Sequence, residues 1–165
     1  MDICVENGAL SGTVAAISSK SDVHRFLIAA ALSKGVSTIK FTTLSDDIKA
    51  TIDVLRALGA KIEVTDGFVA KICGIENALS GVTLDANECG TTARLILPVA
   101  AALIPSFTLT GKNGLLKRPF FDLCKCMEEN GASCKSDTLP ISVCGLSLRR
   151  RSSDSPSASP WSSVE

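Results

Sequence analysis

Residues 19–32, SKSDVHRFLIAAAL, decide how the chain is read. The stretch opens on a lysine between two serines and closes on an apolar run suited to a buried helix. The pattern predicts a helix over about 22–33, with Gly35 as its C-terminal breaker. Lys20 and Ser21 stand where that helix begins, and Arg25 lies about one turn in. A helix start offers free backbone N–H groups and the positive end of a dipole. Two cations added there make an anion site. A serine cap flanked by two solvated cations would have the same residues, so context must separate the two readings.

The totals narrow the class. At 165 residues the chain is one domain or two small ones. It is 45% hydrophobic and 21% charged, enough to bury a core. Net charge is zero and Tyr is absent, which argues against a nucleic-acid partner, whose binders carry basic patches and stacking aromatics. No basic region precedes an apolar one at the start, and the longest apolar run, 95–104, is too short to span a bilayer and contains Pro98. A cytoplasmic chain with no membrane partner is the expectation. The seven cysteines are then reduced thiols, most of them small core residues. A single histidine and no paired metal-ligand spacing predict no metal.

An internal repeat organises the rest. Ala29-Ala30-Ala31-Leu32 recurs 71 positions later, from 29 to 100, as Ala100-Ala101-Ala102-Leu103. Cys73-Gly74 recurs at the same offset, from 73 to 144, as Cys144-Gly145. Gly59-Ala60 recurs as Gly131-Ala132, from 59 to 131. The predicted elements agree in order. Strands at 3–5 and 12–17 precede the first helix, and a strand at 36–41 follows it. Ser45 or Asp46 caps a helix with Ile48, Ile52, Leu55 and Leu58 on one stripe. A hairpin of 61–65 and 68–73 turns at Asp66-Gly67. The second copy has a helix from near Gly90, a strand at 106–110, a helix at 119–129, and strands at 133–136 and 141–143. Two β-α-β-α-β-β units are legible, about 10–74 and 81–145.

Residues 26–32 and 95–103 are apolar almost all round, which predicts helices wrapped by protein. Lys61-Ile62-Glu63-Val64-Thr65 alternates, which predicts a sheet with one face in solvent. The fold class is therefore α/β with buried helices and outer sheets. Pro98 should kink its helix or mark a tightened first turn. Residues 146–165 are serine-rich without periodicity and read as a disordered tail after a partial domain of 1–145.

The second unit repeats the chemistry of the first. Its counterpart of SKSDVHR is NECGTTAR, residues 87–94, with Arg94 one turn beyond Gly90 as Arg25 is beyond Ser21. Gly90 lets a ligand approach the backbone, and Thr91 and Thr92 add hydroxyls at the helix start. Lys117 and Arg118 stand at the entrance to the next helix. Recurrence of cations at two helix starts favours the anion site over ordinary caps.

The set SKSDVHR, SDDI at 45–48, NECGTTAR and KRP at 117–119 resembles the 5-enolpyruvylshikimate-3-phosphate synthases, over about residues 10–145. The resemblance implies an inside-out α/β barrel and transfer of the carboxyvinyl group of phosphoenolpyruvate to the 5-hydroxyl of shikimate 3-phosphate, releasing phosphate. It implies a monomer, no cofactor, and those two small molecules as partners. By resemblance Lys20 contacts phosphoenolpyruvate and helps proton transfer, Ser21 and Arg25 hold shikimate 3-phosphate with Lys20, and Gly90 and Arg118 line the phosphoenolpyruvate site. Asn87, Thr91 and Arg94 belong to the same motif. The family has six such units and this chain shows two, so it resembles a truncated portion that binds without turnover when alone. Gly114 stands where many members carry an arginine.

Overall fold

The computed structural model describes residues 3–4, 8–9, 11–66 and 68–144. The first unit contains α1 (Lys20–Leu32), β1 (Val36–Lys40), α2 (Asp46–Ala57), β2 (Lys61–Thr65) and β3 (Val69–Cys73). The second contains β4 (Val82–Asp85), α3 (Gly90–Leu103), β5 (Ser106–Thr110), α4 (Phe121–Glu129), β6 (Ser133–Cys134) and β7 (Ile141–Cys144). A 3-10 turn, Asn113–Lys117, joins β5 to α4.

The helix starts follow from local chemistry. The Ser19 side chain accepts from Asp22 N, Ser45 from Ile48 N, and the Cys89 sulfur from Thr92 N. Each satisfies an amide that the helix itself leaves free. Asp46 and Asp47 then sit in the first turn of α2 and Arg56 in its last, as the helix dipole favours. Arg56 also donates from Nη2 and Nε to Ile62 O, at 2.7 and 3.1 Å, tying the end of α2 to β2.

The repeat is visible in the sheets. One sheet has the order β1-β3-β2 and the other β4-β5-β7-β6. Cys73 pairs with Val36 and with Lys61; Cys144 pairs with Ser106 and with Ser133. Thus the repeated cysteines hold the same place in two central strands. Gly74 follows because the chain there presses against the end of α1. A Cβ on Gly74 would lie 1.9 Å from Ser33 O.

Both units share one core. Leu27, Leu55, Leu58, Ile72, Leu84, Ile96, Leu97, Leu109 and Ile141 are fully buried in it. Burying each such side chain contributes about 1.5–3 kcal/mol relative to exposure. On the sheet, Lys61, Glu63, Thr65 and Lys71 alternate with inward residues and meet solvent, as the sequence pattern predicts.

Several expectations are corrected. Residues 12–17 do not form a strand. Val14 and Ile17 are 91% and 75% exposed, and the chain just after the segment is tied to the loop beyond β1 by Ser18 and Thr42, which exchange backbone-to-hydroxyl bonds of 2.7 and 3.0 Å. Its counterpart in the second unit, β4, has a full parallel ladder to β5. The two apolar helices are not wrapped on every side. Phe26 is 60% and Leu32 47% exposed, and Ala29, Ala102 and Leu103 are exposed too. Val23, Leu27, Ile28, Ala30 and Ala31 fill the core side of α1, and no described element covers the other side. Pro98 lies well past the first turn of α3, and the helix runs through it to Leu103.

Other differences are small. The helix after Pro119 begins at Phe121, with Phe120 as its buried cap residue. Strand β3 begins at Val69 because Phe68 has φ +58°, which is turn geometry. Gly67, Val5 and the tail of 146–165 lie outside the described residues, while Ile3 and Cys4 are not in a strand. No described helix is long and apolar enough to cross a membrane.

Candidate active site

Three helices start close together. Lys20 opens α1, Asp47 lies in the first turn of α2, and Cys89 caps α3. Lys20 Nζ is 2.5 Å from Asp47 Oδ2. The pair is half in solvent, with side chains 52% and 32% exposed. Bonding to Asp47 and the attraction of its charge raise the Lys20 pKa above the ordinary lysine value. The bond from Lys20 in turn holds the Asp47 carboxyl below the ordinary carboxylate value, outweighing partial burial, and the Cys89 thiol adds to the effect. The lysine is therefore a fixed cation at the mouth of α3.

Two arginines meet at the same helix start. A Cβ placed on Gly90 would lie 2.9 Å from Arg118 Nη1 and 3.2 Å from Arg94 Nη1. Only a hydrogen at this position leaves both guanidinium groups against the backbone. Phe120 carries the Arg94 guanidinium at 4.9 Å from its ring, and Arg94 Nη2 donates to Pro119 O at 3.3 Å. Arg94 is thus held from behind with donors left for a ligand. Arg118 is exposed and has no carboxylate partner among the described residues. Two guanidinium groups, an ammonium and a helix N-terminus form a cradle for phosphate or carboxylate.

Residues 5–163 match the family model of EPSP synthase, 3-phosphoshikimate 1-carboxyvinyltransferase. The chain belongs to the EPSP synthase family. A 3-phosphoshikimate 1-carboxyvinyltransferase of Clostridium botulinum is 36% identical over 147 residues, covering 84% of this chain and 34% of its own length. One from Clostridium beijerinckii is 39% identical over 132 residues, covering 75% and 30%. The solved EPSP synthase of Acinetobacter baumannii superposes with a TM-score of 0.72 at 25% identity, covering 81% of this chain and 32% of that one. The chain therefore spans about a third of the length of the relatives it matches.

The structure gathers some EPSP synthase motif residues and separates others. Gly90, Arg94 and Arg118 meet at the start of α3, and Lys20 pairs with Asp47 in the first turn of α2. Ser21 and Arg25 lie on the exposed side of α1, where Arg25 Nη1 pairs with Asp22 Oδ1 at 3.1 Å. Thr91 is exposed at the start of α3, but Thr92 turns inward and is fully buried. Asn87 sits in the turn before α3 at φ +52° and lines a separate cavity of about 250 Å³ with Asp46, Asp53, Asp85 and Lys112.

Sequence reasoning gave no role to Asp47 or Cys89. Nothing local in the motif SDDI shows that its second aspartate reaches back to Lys20, 27 residues away. Cys89 is a core thiol by its 3% exposure, and it also caps α3. The inward face of Thr92 was readable from its place beside Ala93, Ile96 and Leu97 on the buried stripe.

Proposed function

We propose that this chain supplies part of the substrate site of a 3-phosphoshikimate 1-carboxyvinyltransferase. The reaction moves the carboxyvinyl group of phosphoenolpyruvate to the 5-hydroxyl of shikimate 3-phosphate and releases phosphate. The convergence of Arg94 and Arg118 on Gly90 carries the reading. Phosphoenolpyruvate brings a phosphate and a carboxylate, and planar guanidinium forks suit both. Charge that gathers on the departing phosphate is met by donors already in place, which is how a site favours the transition state over the ground state.

Lys20 has the role of proton-handling group beside the phosphoenolpyruvate. Asp47 keeps it charged, so in its resting state it has a proton to give. Ser21 and Arg25 would hold shikimate 3-phosphate on the exposed side of α1. The Arg25–Asp22 pair is solvent-exposed and of little net worth, so a phosphate can take Asp22's place at small cost. The chemistry needs no cofactor and no nucleic-acid or membrane partner, and the chain is read as a monomeric cytoplasmic protein.

Since the chain spans about a third of its relatives, binding without turnover is the behaviour expected of it alone. Calorimetric titration with each substrate tests the first half, and phosphate release tests the second. The expected result is weak, arginine-dependent binding and no phosphate release. An Arg118→Ala variant that binds phosphoenolpyruvate as the wild type does would overturn the assignment.

A further inference from the structure

The only histidine in the sequence is fully buried, one turn beyond Lys20 on α1. His24 Nδ1 lies 2.7 Å from Thr51 Oγ1, and Thr51 Oγ1 lies 2.6 Å from Thr92 Oγ1. Thr51 and Thr92 are fully buried as well. On its other side, His24 Nε2 faces Cys89 Sγ at 4.0 Å. The three residues come from three different helices, and each stands just behind a residue of the anion cradle. His24 follows Lys20 by one turn, Thr51 follows Asp47 by one turn, and Thr92 lies in the first turn of α3 with Gly90.

Apart from this cluster and the Lys20–Asp47 pair at the rim, the buried side chains these helices bring to the common core are apolar: Val23, Leu27 and Ile28 from α1, Ile48, Ile52 and Leu55 from α2, Ala93, Ile96 and Leu97 from α3. Apolar packing is non-directional and tolerates many small shifts. Short hydrogen bonds are directional and weaken steeply when misaligned. A buried polar group also costs free energy wherever its partner is lost. Among the described residues no buried side-chain nitrogen or oxygen lacks a partner, so the cluster is closed as it stands.

Its proton count is tight. Thr51 Oγ1 touches His24 Nδ1, Thr92 Oγ1 and, at 3.4 Å, Asp47 O, with one hydrogen to give. If it gives that hydrogen to Asp47 O, His24 Nδ1–H and the Thr92 hydroxyl both donate to it, and Nε2 is left to accept the Cys89 thiol. If it gives it to His24 Nδ1, the imidazole holds its proton on Nε2 against the sulfur. In both arrangements a neutral imidazole has a defined tautomer.

We propose that His24, Thr51 and Thr92 are positioning residues, a buried tie that sets the spacing of the three helix starts carrying Lys20, Asp47 and Gly90. None of the three touches the cradle's ligand-facing atoms; they act through the residues in front of them. That this cradle takes phosphoenolpyruvate rests on the proposed function, whereas the tie is a property of the helices.

The test compares Thr92→Val, which keeps the side-chain shape and removes the hydroxyl, with Thr92→Ser, which keeps the hydroxyl. Three quantities are read on the 165-residue chain: the melting temperature, the Asp47 carboxyl titration by 13C NMR, and phosphoenolpyruvate affinity by calorimetry. In Thr92→Val the chain stays folded, Asp47 titrates nearer the ordinary carboxylate value, and affinity falls about five- to tenfold. Thr92→Ser restores both. An unchanged Asp47 titration in folded Thr92→Val overturns the proposal. Should the wild type bind no phosphoenolpyruvate, the proposed function fails, and the Asp47 titration still decides the tie. The wild type also gives a check that needs no variant. Its lone imidazole, held by Thr51 in either tautomer, must stay neutral just below pH 6.5, where free histidine takes a proton, and a 15N titration like that of free histidine overturns the proposal.

Discussion

Lys20 and Asp47 stand 27 residues apart in sequence and 2.5 Å apart in space, and their contact brings the starts of α1 and α2 together. Asp47→Asn should lower the Lys20 pKa toward its ordinary 10.5, measured by 15N titration of the ammonium. The effect on stability is small, about 0.2–1 kcal/mol, because both side chains reach water. The sign is fixed at both ends of the pH scale. The carboxyl is held below its ordinary 3.8, so its contribution is present above that value and is lost as pH falls through the folded pKa. The ammonium is held above 10.5, so its contribution is present below that value and is lost as pH rises through the folded pKa.

Gly74→Ala tests the repeat geometry rather than the site. The added methyl would sit 1.9 Å from Ser33 O, a backbone atom at the end of α1 that cannot swing away. Either β3 or α1 must move, and both belong to the core. A loss of about 3 kcal/mol or more is expected in urea unfolding. A change under about 0.5 kcal/mol, the scale of an ordinary surface substitution, would show that the contact is loose.

The repeat of Cys-Gly was legible because it marks a backbone constraint in the first unit. Cys73 and Cys144 occupy equivalent central-strand positions, and Gly74 is required by its approach to Ser33. The meeting of Arg94 and Arg118 at Gly90 agrees with their motifs lying close to the start of α3 and the approach to α4. The exposed side of α1 was not legible. Phe26 and Leu32 have the composition of core residues, and hydropathy alone does not tell which apolar residues a given chain covers. The failure at residues 12–17 has the same origin: Thr13, Val14 and Ile17 are β-branched residues suited to a strand, and a ladder also needs a neighbour. The His24–Thr51–Thr92 tie was hidden because it joins three segments at spacings that no local pattern encodes.

Gly90→Ala separates binding from folding. Its methyl would press on the ends of two flexible arginines and not on backbone, so the fold can adjust cheaply. At the first position of α3 alanine is no worse a helix former than glycine. The melting temperature should hold or rise, while phosphoenolpyruvate binding weakens about tenfold as Arg118 or Arg94 is displaced. Equal loss of binding in Arg118→Ala and in the double variant would confirm that the methyl acts through that arginine. Full additivity of the two changes would refute it.

His24 gives the chain an acid limit of its own. Burial holds its pKa below the ordinary 6.5, with the nearby Asp47 charge opposing and the Lys20 charge assisting. Once unfolded, the imidazole takes a proton near 6.5, while the folded chain resists doing so. The unfolded state then binds more protons, so stability rises with pH between the folded pKa and the unfolded one. On acidification the loss begins near 6.5, well before most carboxylates titrate, and stops once pH falls below the folded pKa. Urea unfolding at steps between pH 7 and pH 4.5 should show this slope in the wild type. His24→Asn keeps a donor and an acceptor toward Thr51 but cannot titrate, so its slope over the same range should be flatter. Parallel slopes in the two proteins would mean that other groups set the acid limit and that His24 titrates alike in both states.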